Sequence, residues 1–125
     1  MLSTASAASS ADALRFRETV QPADPAAVAA LVASTGFFTP EEVAVARELV
    51  EERLAKGEAS GYRFVFLDDA AGRLLGYACY GPVPCTESSF DLYWIAVVED
   101  RRGQGLGARL LRRTEEAARG RGASR

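Results

Sequence analysis

Residues 90–98 read FDLYWIAVV, and soon after that run three glycines alternate with other residues, Gly103, Gly105 and Gly107. A nearly unbroken apolar run of this length predicts a central strand buried on both faces. Glu99-Asp100-Arg101-Arg102 then supplies a charged turn. A helix is predicted from about Gly105 to Arg119, with Leu106, Leu110, Leu111, Ala117 and Ala118 as its apolar stripe. This strand, glycine turn and helix restrict what the chain can become. A helix N-terminus exposes unpaired backbone N–H groups and a partial positive charge. Glycines let that backbone approach an anion closely and adopt positive φ. The unit therefore predicts a cradle for a diphosphate-like anion.

The charge distribution points the same way. The 125 residues carry a net charge of −2, but residues 101–125 hold 8 arginines against 2 glutamates, while residues 1–100 hold 7 basic and 15 acidic side chains. A basic cluster beside glycines suits an anionic ligand. The same arginines also read as the solvated face of a helix, and charge alone leaves both readings open. The acidic remainder argues against a nucleic-acid surface.

Composition removes several chemistries. With no histidine in the chain, a Ser-His-Asp or Cys-His mechanism is excluded. Two cysteines, Cys79 and Cys85, are too few for a zinc site of the Cys/His kind, so no metal is expected. Both read as reduced thiols of a cytoplasmic protein, Cys79 as a small core residue. No apolar run approaches the roughly 20 residues that span a bilayer, so no membrane partner is expected. Residues 1–12 are small and polar without a basic start or an apolar centre, and read as a disordered lead-in to a domain over residues 13–125.

Along that domain, residues 14–20 alternate like a strand. Asp24-Pro25 offers an N-cap and a first-turn proline for a helix that Gly36 stops. Thr39-Pro40-Glu41-Glu42 predicts a capping box for a second helix, with Val43, Ala46, Leu49, Val50 and Leu54 at helical spacing and Gly57 at its end. Residues 62–67 and 74–80 read as paired strands around an Asp-rich turn closed by Gly72. Gly81-Pro82-Val83-Pro84-Cys85-Thr86 reads as a loop, because its prolines would break a central strand. The order is strand, helix, helix, strand, strand, strand, helix. A returning parallel strand is expected after the last helix, and none follows. Either that helix caps an open sheet, or the sequence is the front part of a longer domain.

Three cradle patterns compete for the glycines. A Walker A loop needs a lysine after its last glycine, and none is present. Gly103-x-Gly105-x-x-Ala108 satisfies a dinucleotide fingerprint literally, but the chain stops before the second strand and acidic residue that should follow. The third pattern, Arg/Gln-x-x-Gly-x-Gly/Ala, is met by Arg102-Gly103-Gln104-Gly105-Leu106-Gly107. Together with the strand ending in Ile95-Ala96-Val97, it makes DLYWIAVVEDRRGQGLGARLL resemble the fourth strand, pyrophosphate loop and third helix of the GNAT superfamily of N-acetyltransferases. The preceding element order also resembles that fold, over roughly residues 13–119.

The resemblance implies an α+β domain with a mixed, mainly antiparallel sheet flanked by helices. It implies acetyl-CoA as acyl donor, its pyrophosphate on the N–H groups of Gly103, Gln104, Gly105, Leu106, Gly107 and Ala108, with Arg102 in the same loop. The pantetheine arm would run along Ile95, Ala96 and Val97 like an added strand. A primary amine, of a small molecule or peptide, would attack the thioester directly, and a base must leave that amine neutral. Asp91 stands where several family members carry a carboxylate base, and equally reads as a solubilising strand-end residue. Glu87 is a weaker candidate. Tyr93 and Trp94 read mainly as core. Phe37 and Phe38 lie where such folds shape the acceptor pocket, or staple the Thr39-capped helix. Family members continue with further strands and a helix that this sequence lacks, so residues 90–98 would keep an open edge. The alternative reading is a non-catalytic CoA- or nucleotide-binding half-domain that completes its sheet with a partner chain, for instance as a homodimer.

Overall fold

The computed structural model describes residues 13–82, 90–101 and 103–120. The lead-in at 1–12, Cys85 and Glu87, and Arg102 lie outside the described residues. Chain order is β1 (Arg15–Arg17), α1 (Asp24–Ser34), α2 (Pro40–Lys56), a 3-10 turn (Gly57–Ser60), β2 (Arg63–Asp68), β3 (Leu74–Pro82), β4 (Phe90–Val97), a second 3-10 turn (Glu99–Arg101) and α3 (Leu106–Gly120).

Local chemistry explains most of these boundaries. At the start of α2 the Thr39 hydroxyl accepts from the Glu42 N–H at 3.1 Å and the Glu42 carboxylate accepts from the Thr39 N–H at 2.8 Å. This is the predicted capping box, which satisfies two helix-end donors at once. Between β2 and β3, Asp69 Oδ1 accepts from the N–H groups of Ala71 and Arg73, and Gly72 takes φ +91°.

Two boundaries differ from expectation. Asp24 is not the cap of α1 but its first residue, after Ala23. Its carboxylate is drawn instead to the Gln21 N–H and to Arg17. Charge pairing from β1 thus outbids local capping. β3 also runs through Gly81 and Pro82 rather than ending at Tyr80. The pairing with β2 stops at Arg63↔Tyr80, so Pro82 pairs only with β4 and its missing N–H leaves no ladder bond unmade.

The sheet order is β1-β2-β3-β4, with antiparallel pairing at every described step. Paired residues share a face. One face carries Phe64, Phe66, Tyr77, Cys79, Trp94 and Ala96 beneath α1 and α2. There Phe64 and Phe66 stack at 5.6 Å, and Phe38 meets Trp94 at 5.2 Å. The other face carries Val65, Leu67, Gly76 and Ala78 beneath α3. Gly76 lets α3 come close, because a Cβ there would sit 3.3 Å from Leu110 and 3.0 Å from the Ala96 carbonyl. The result is an α+β fold with helices on both faces. β4 is not a central strand among the described residues. It is the last of the described strands, with Leu92 and Tyr93 exposed, Ala96 buried and Val98 buried just beyond its end.

Candidate functional site

The glycine turn lies where the sequence places it, directly at the N-terminus of α3. Gly103 and Gly105 take φ of +83° and +78°, a region that other residues enter only at a cost. A Cβ built on either would meet no atom within 4 Å, so there is open space beside both glycines. The first α-helical bond of α3 runs from the Arg109 N–H to the Gly105 carbonyl at 3.2 Å. The N–H groups of Leu106, Gly107 and Ala108 therefore precede the intrahelical ladder. Three donors and the positive end of a 15-residue helix converge on the loop's opening.

β4 leads into this turn and presents beside it an edge that no described strand pairs. Val98 donates to the Leu75 carbonyl at 2.8 Å and so faces β3. By antiparallel alternation Ala96 faces β3 too, and the N–H and C=O groups of Ile95 and Val97 point to the free edge. Among Ile95, Ala96 and Val97, the two outer residues thus offer a backbone ladder to an extended ligand.

Two hollows of about 200 Å³ each meet at Val97. One is lined by Val97, Arg101, Gly103, Gly105, Leu106 and Gly107. The other is lined by Thr35, Phe37, Phe38, Ile95, Ala96 and Val97. Val97 thus borders both hollows, one at the glycine turn and one at the link between α1 and α2. Phe37 is 68% exposed, whereas Phe38 packs on Trp94.

Sequence reasoning missed a β-bulge. Cys79 pairs with Trp94 but Tyr80 pairs with Leu92, so Tyr93 is an extra residue on β4. A bulge re-aims the side chains beyond it. Asp91 pairs with Gly81 and shares the face of Trp94 and Ala96, which strict alternation would have denied it. Asp91 is exposed, and Tyr93 packs edge-on against Tyr62 at 6.0 Å. Partial burial and then the Asp91 charge push the Tyr93 phenol above its ordinary range. The one sign of this arrangement in the sequence is Gly81, where a Cβ would collide with the Tyr93 ring at 2.9 Å.

Among the described residues no three His, Cys, Asp or Glu side chains converge as metal ligands, and no helix is long and apolar enough to cross a membrane.

Comparison with known proteins gives the same picture. Residues 23–125 match the profile of the Acetyltransferase (GNAT) family. The structure of a GNAT-family protein from Desulfovibrio desulfuricans is 50% identical and superposes with a TM-score of 0.85, over 89% of this chain and 69% of that one. A GNAT-family acetyltransferase from Brucella melitensis, solved in complex with acetyl-CoA, shares the fold at 20% identity and a TM-score of 0.66, over 88% of this chain and 71% of that one. The L-methionine sulfoximine/L-methionine sulfone acetyltransferase of Pseudomonas aeruginosa is 40% identical over 65 residues, which are 50% of this chain and 37% of that enzyme. The chain thus aligns with little more than a third of its curated relative.

Proposed function

Since this chain belongs to the GNAT acetyltransferase family, we propose that it binds acetyl-CoA along the edge of β4 at Val97 and transfers the acetyl group to a primary amine. The observation that carries this reading is that Val97, on the edge of β4 that no described strand pairs, lines both the hollow at the glycine turn and the hollow at Phe37 and Phe38. In this reading the pyrophosphate accepts hydrogen bonds from the N–H groups of the loop from Gly103 to Ala108, with Arg102 beside them. The backbone groups of Ile95 and Val97 hold the pantetheine as an added strand. The thioester then lies toward Phe37 and Phe38, whose rings exclude water and shape the acceptor's entry.

The bound donor supplies an acyl carbon activated by a thiolate leaving group. The amine nitrogen bonds to that carbon, the C–S bond breaks, and the amine's proton leaves. Asp91 is the proposed acceptor of that proton, directly or through a water, because it is the exposed carboxylate at the start of β4. The acceptor class favoured is the amino group of a small amino acid. It is supported by the 40% identity, over 65 residues, with the methionine sulfoximine and sulfone acetyltransferase. The free, buried thiol of Cys79 suits a reducing compartment, and the proposal places the enzyme in the cytoplasm, its domain beginning near residue 13.

Gly105→Asp tests the cradle by setting a carboxylate at the anion site. Acetyl-CoA affinity, read by calorimetric titration, is expected to fall at least about tenfold, from the loss of one or more charge-assisted bonds. Unchanged affinity would sink the assignment.

A further inference from the structure

At the start of β4, two tyrosine rings and a carboxylate gather on bare backbone. The bulge lays the Tyr93 ring across Gly81, where a Cβ would stand 2.9 Å from both its Cε2 and its hydroxyl. Asp91 pairs with this same Gly81, so its carboxylate belongs beside that ring. Its charge is felt there: after partial burial, Asp91 is the next cause of the raised Tyr93 phenol. Tyr62 stands edge-on to Tyr93, with ring planes 80° apart, so the two rings wall a corner. Tyr62 is fixed in place, because its carbonyl accepts from Arg53 and its N–H donates to the Ser60 hydroxyl, both at 3.1 Å. Tyr93 is 41% exposed and Asp91 is exposed beside it. Arg53 and Arg63, at the end of α2 and the start of β2, both bond Glu58 instead. No described cation pairs with the Asp91 carboxylate.

We infer that Tyr62, Tyr93 and Asp91 form a subsite for an organic ammonium group. The faces of the two rings attract a cation through their quadrupoles, and an alkylammonium fits such a corner because its charge is spread over an apolar shell. The carboxylate supplies the counter-charge and, for a primary ammonium, accepts its N–H. An exposed carboxylate alone would hold a cation weakly, and the rings add both contact and shape. The use of the subsite in catalysis rests on the acetyl-transfer reading: the acceptor enters as its ammonium, lies against the rings, and presents its N–H to the residue proposed to take the proton. Tyr93 and Tyr62 then determine specificity, favouring acceptors that carry a cation.

The test titrates the full chain with choline and with 3,3-dimethyl-1-butanol, its neutral isostere, while the tyrosine ring resonances are followed by NMR. Choline's quaternary nitrogen has no lone pair, so the readout is independent of transfer to nitrogen. The chain has four tyrosines, and the buried Tyr77 and Tyr80 serve as internal controls. Choline is expected to shift Tyr62 and Tyr93 saturably and to leave Tyr77 and Tyr80 in place, and the neutral alcohol should shift none of them. Tyr93→Leu and Asp91→Asn should each weaken choline binding about fivefold, and Tyr93→Phe should retain it. CoA should leave choline bound, since the donor's place lies further along β4. Equal shifts with the neutral alcohol would overturn the cation subsite. So would resonances of Tyr62 and Tyr93 that ignore choline, wild-type affinity in Asp91→Asn, or displacement of choline by CoA. A chain that binds choline but not CoA would sink the donor reading and leave the subsite standing.

Discussion

The sheet has a sealed side and an open side. Beneath α1, Arg17 lies over the Phe66 ring at 4.4 Å and bonds Asp24 and Asp68, both at under 3 Å at closest approach. Burial alone would pull the Arg17 guanidinium down, but its two carboxylate partners raise it well above its ordinary value. Every charge in that corner has a partner, and the rings of Phe64, Phe66 and Tyr77 stack beside it. At the other end of the sheet, the edge of β4 and the start of α3 carry polar groups that the described residues leave unengaged, with open space over Gly103 and Gly105. The contrast assigns different work to the two regions. The sealed corner fixes the sheet, and in the proposed function the open edge uses that rigidity to hold donors in place for the acyl donor.

The sharpest way to break this contrast is Arg17→Met. It leaves two carboxylates beneath α1 without their partner, and a loss of about 3 kcal/mol is expected from uncompensated buried charge. Urea denaturation should show it as a lower midpoint, and a midpoint near wild type would mean that the corner is not sealed. Gly76→Ala comes next. A methyl group 3.0 Å from the Ala96 carbonyl and 3.3 Å from Leu110 must push β4 or α3 outward, at a cost of about 2 kcal/mol. Gly107→Ala, with only Val97 in contact at 3.9 Å, should leave stability nearly unchanged. Equal losses in the two variants would erase the distinction between packed and open glycines.

The smallest effect is alkaline. Burial pushes the Cys79 thiol from 9.0 up to about 12. Its folded value is raised, so its contribution is complete below pH 9 and is lost as pH rises toward 12. Stability should drop by about 1 kcal/mol at pH 10 for this group, and Cys79→Ala should flatten that part of the profile. Thiol labelling of the native chain at pH 8 should be negligible at Cys79; rapid labelling would show that the sealed face opens.

Wherever one short stretch contains both partners of an interaction, the sequence could be read directly. Thr39 and Glu42 lie three apart and form their box as expected. The glycines at 103 and 105 and the helix after them stand in one segment, so the positive-φ turn before α3 was legible as well. Errors came from partners distant in the chain. Asp24 reads as a cap in the sequence, but Arg17, which also bonds Asp68, and the Gln21 N–H take up its carboxylate. The run 90–98 looked doubly buried, yet Leu92 and Tyr93 are each 41% exposed, because apolar content does not say how many strands lie alongside. The bulge at Tyr93, which sets the face on which Asp91 lies, depends on how β3 and β4 register, and no local signal reports it.

By itself, then, the sequence determined the element types, the capping of α2 and the anion-ready turn before α3, since short-range backbone geometry and hydrogen bonding govern all three. Only the tertiary structure decided that this turn adjoins a strand edge that no described residue pairs, that Phe37 and Phe38 lie beside Ile95 and Val97, and that Asp100 is tied to Arg73. Those are choices among partners brought together from remote segments, and burial and strand register make them only once the sheet has formed.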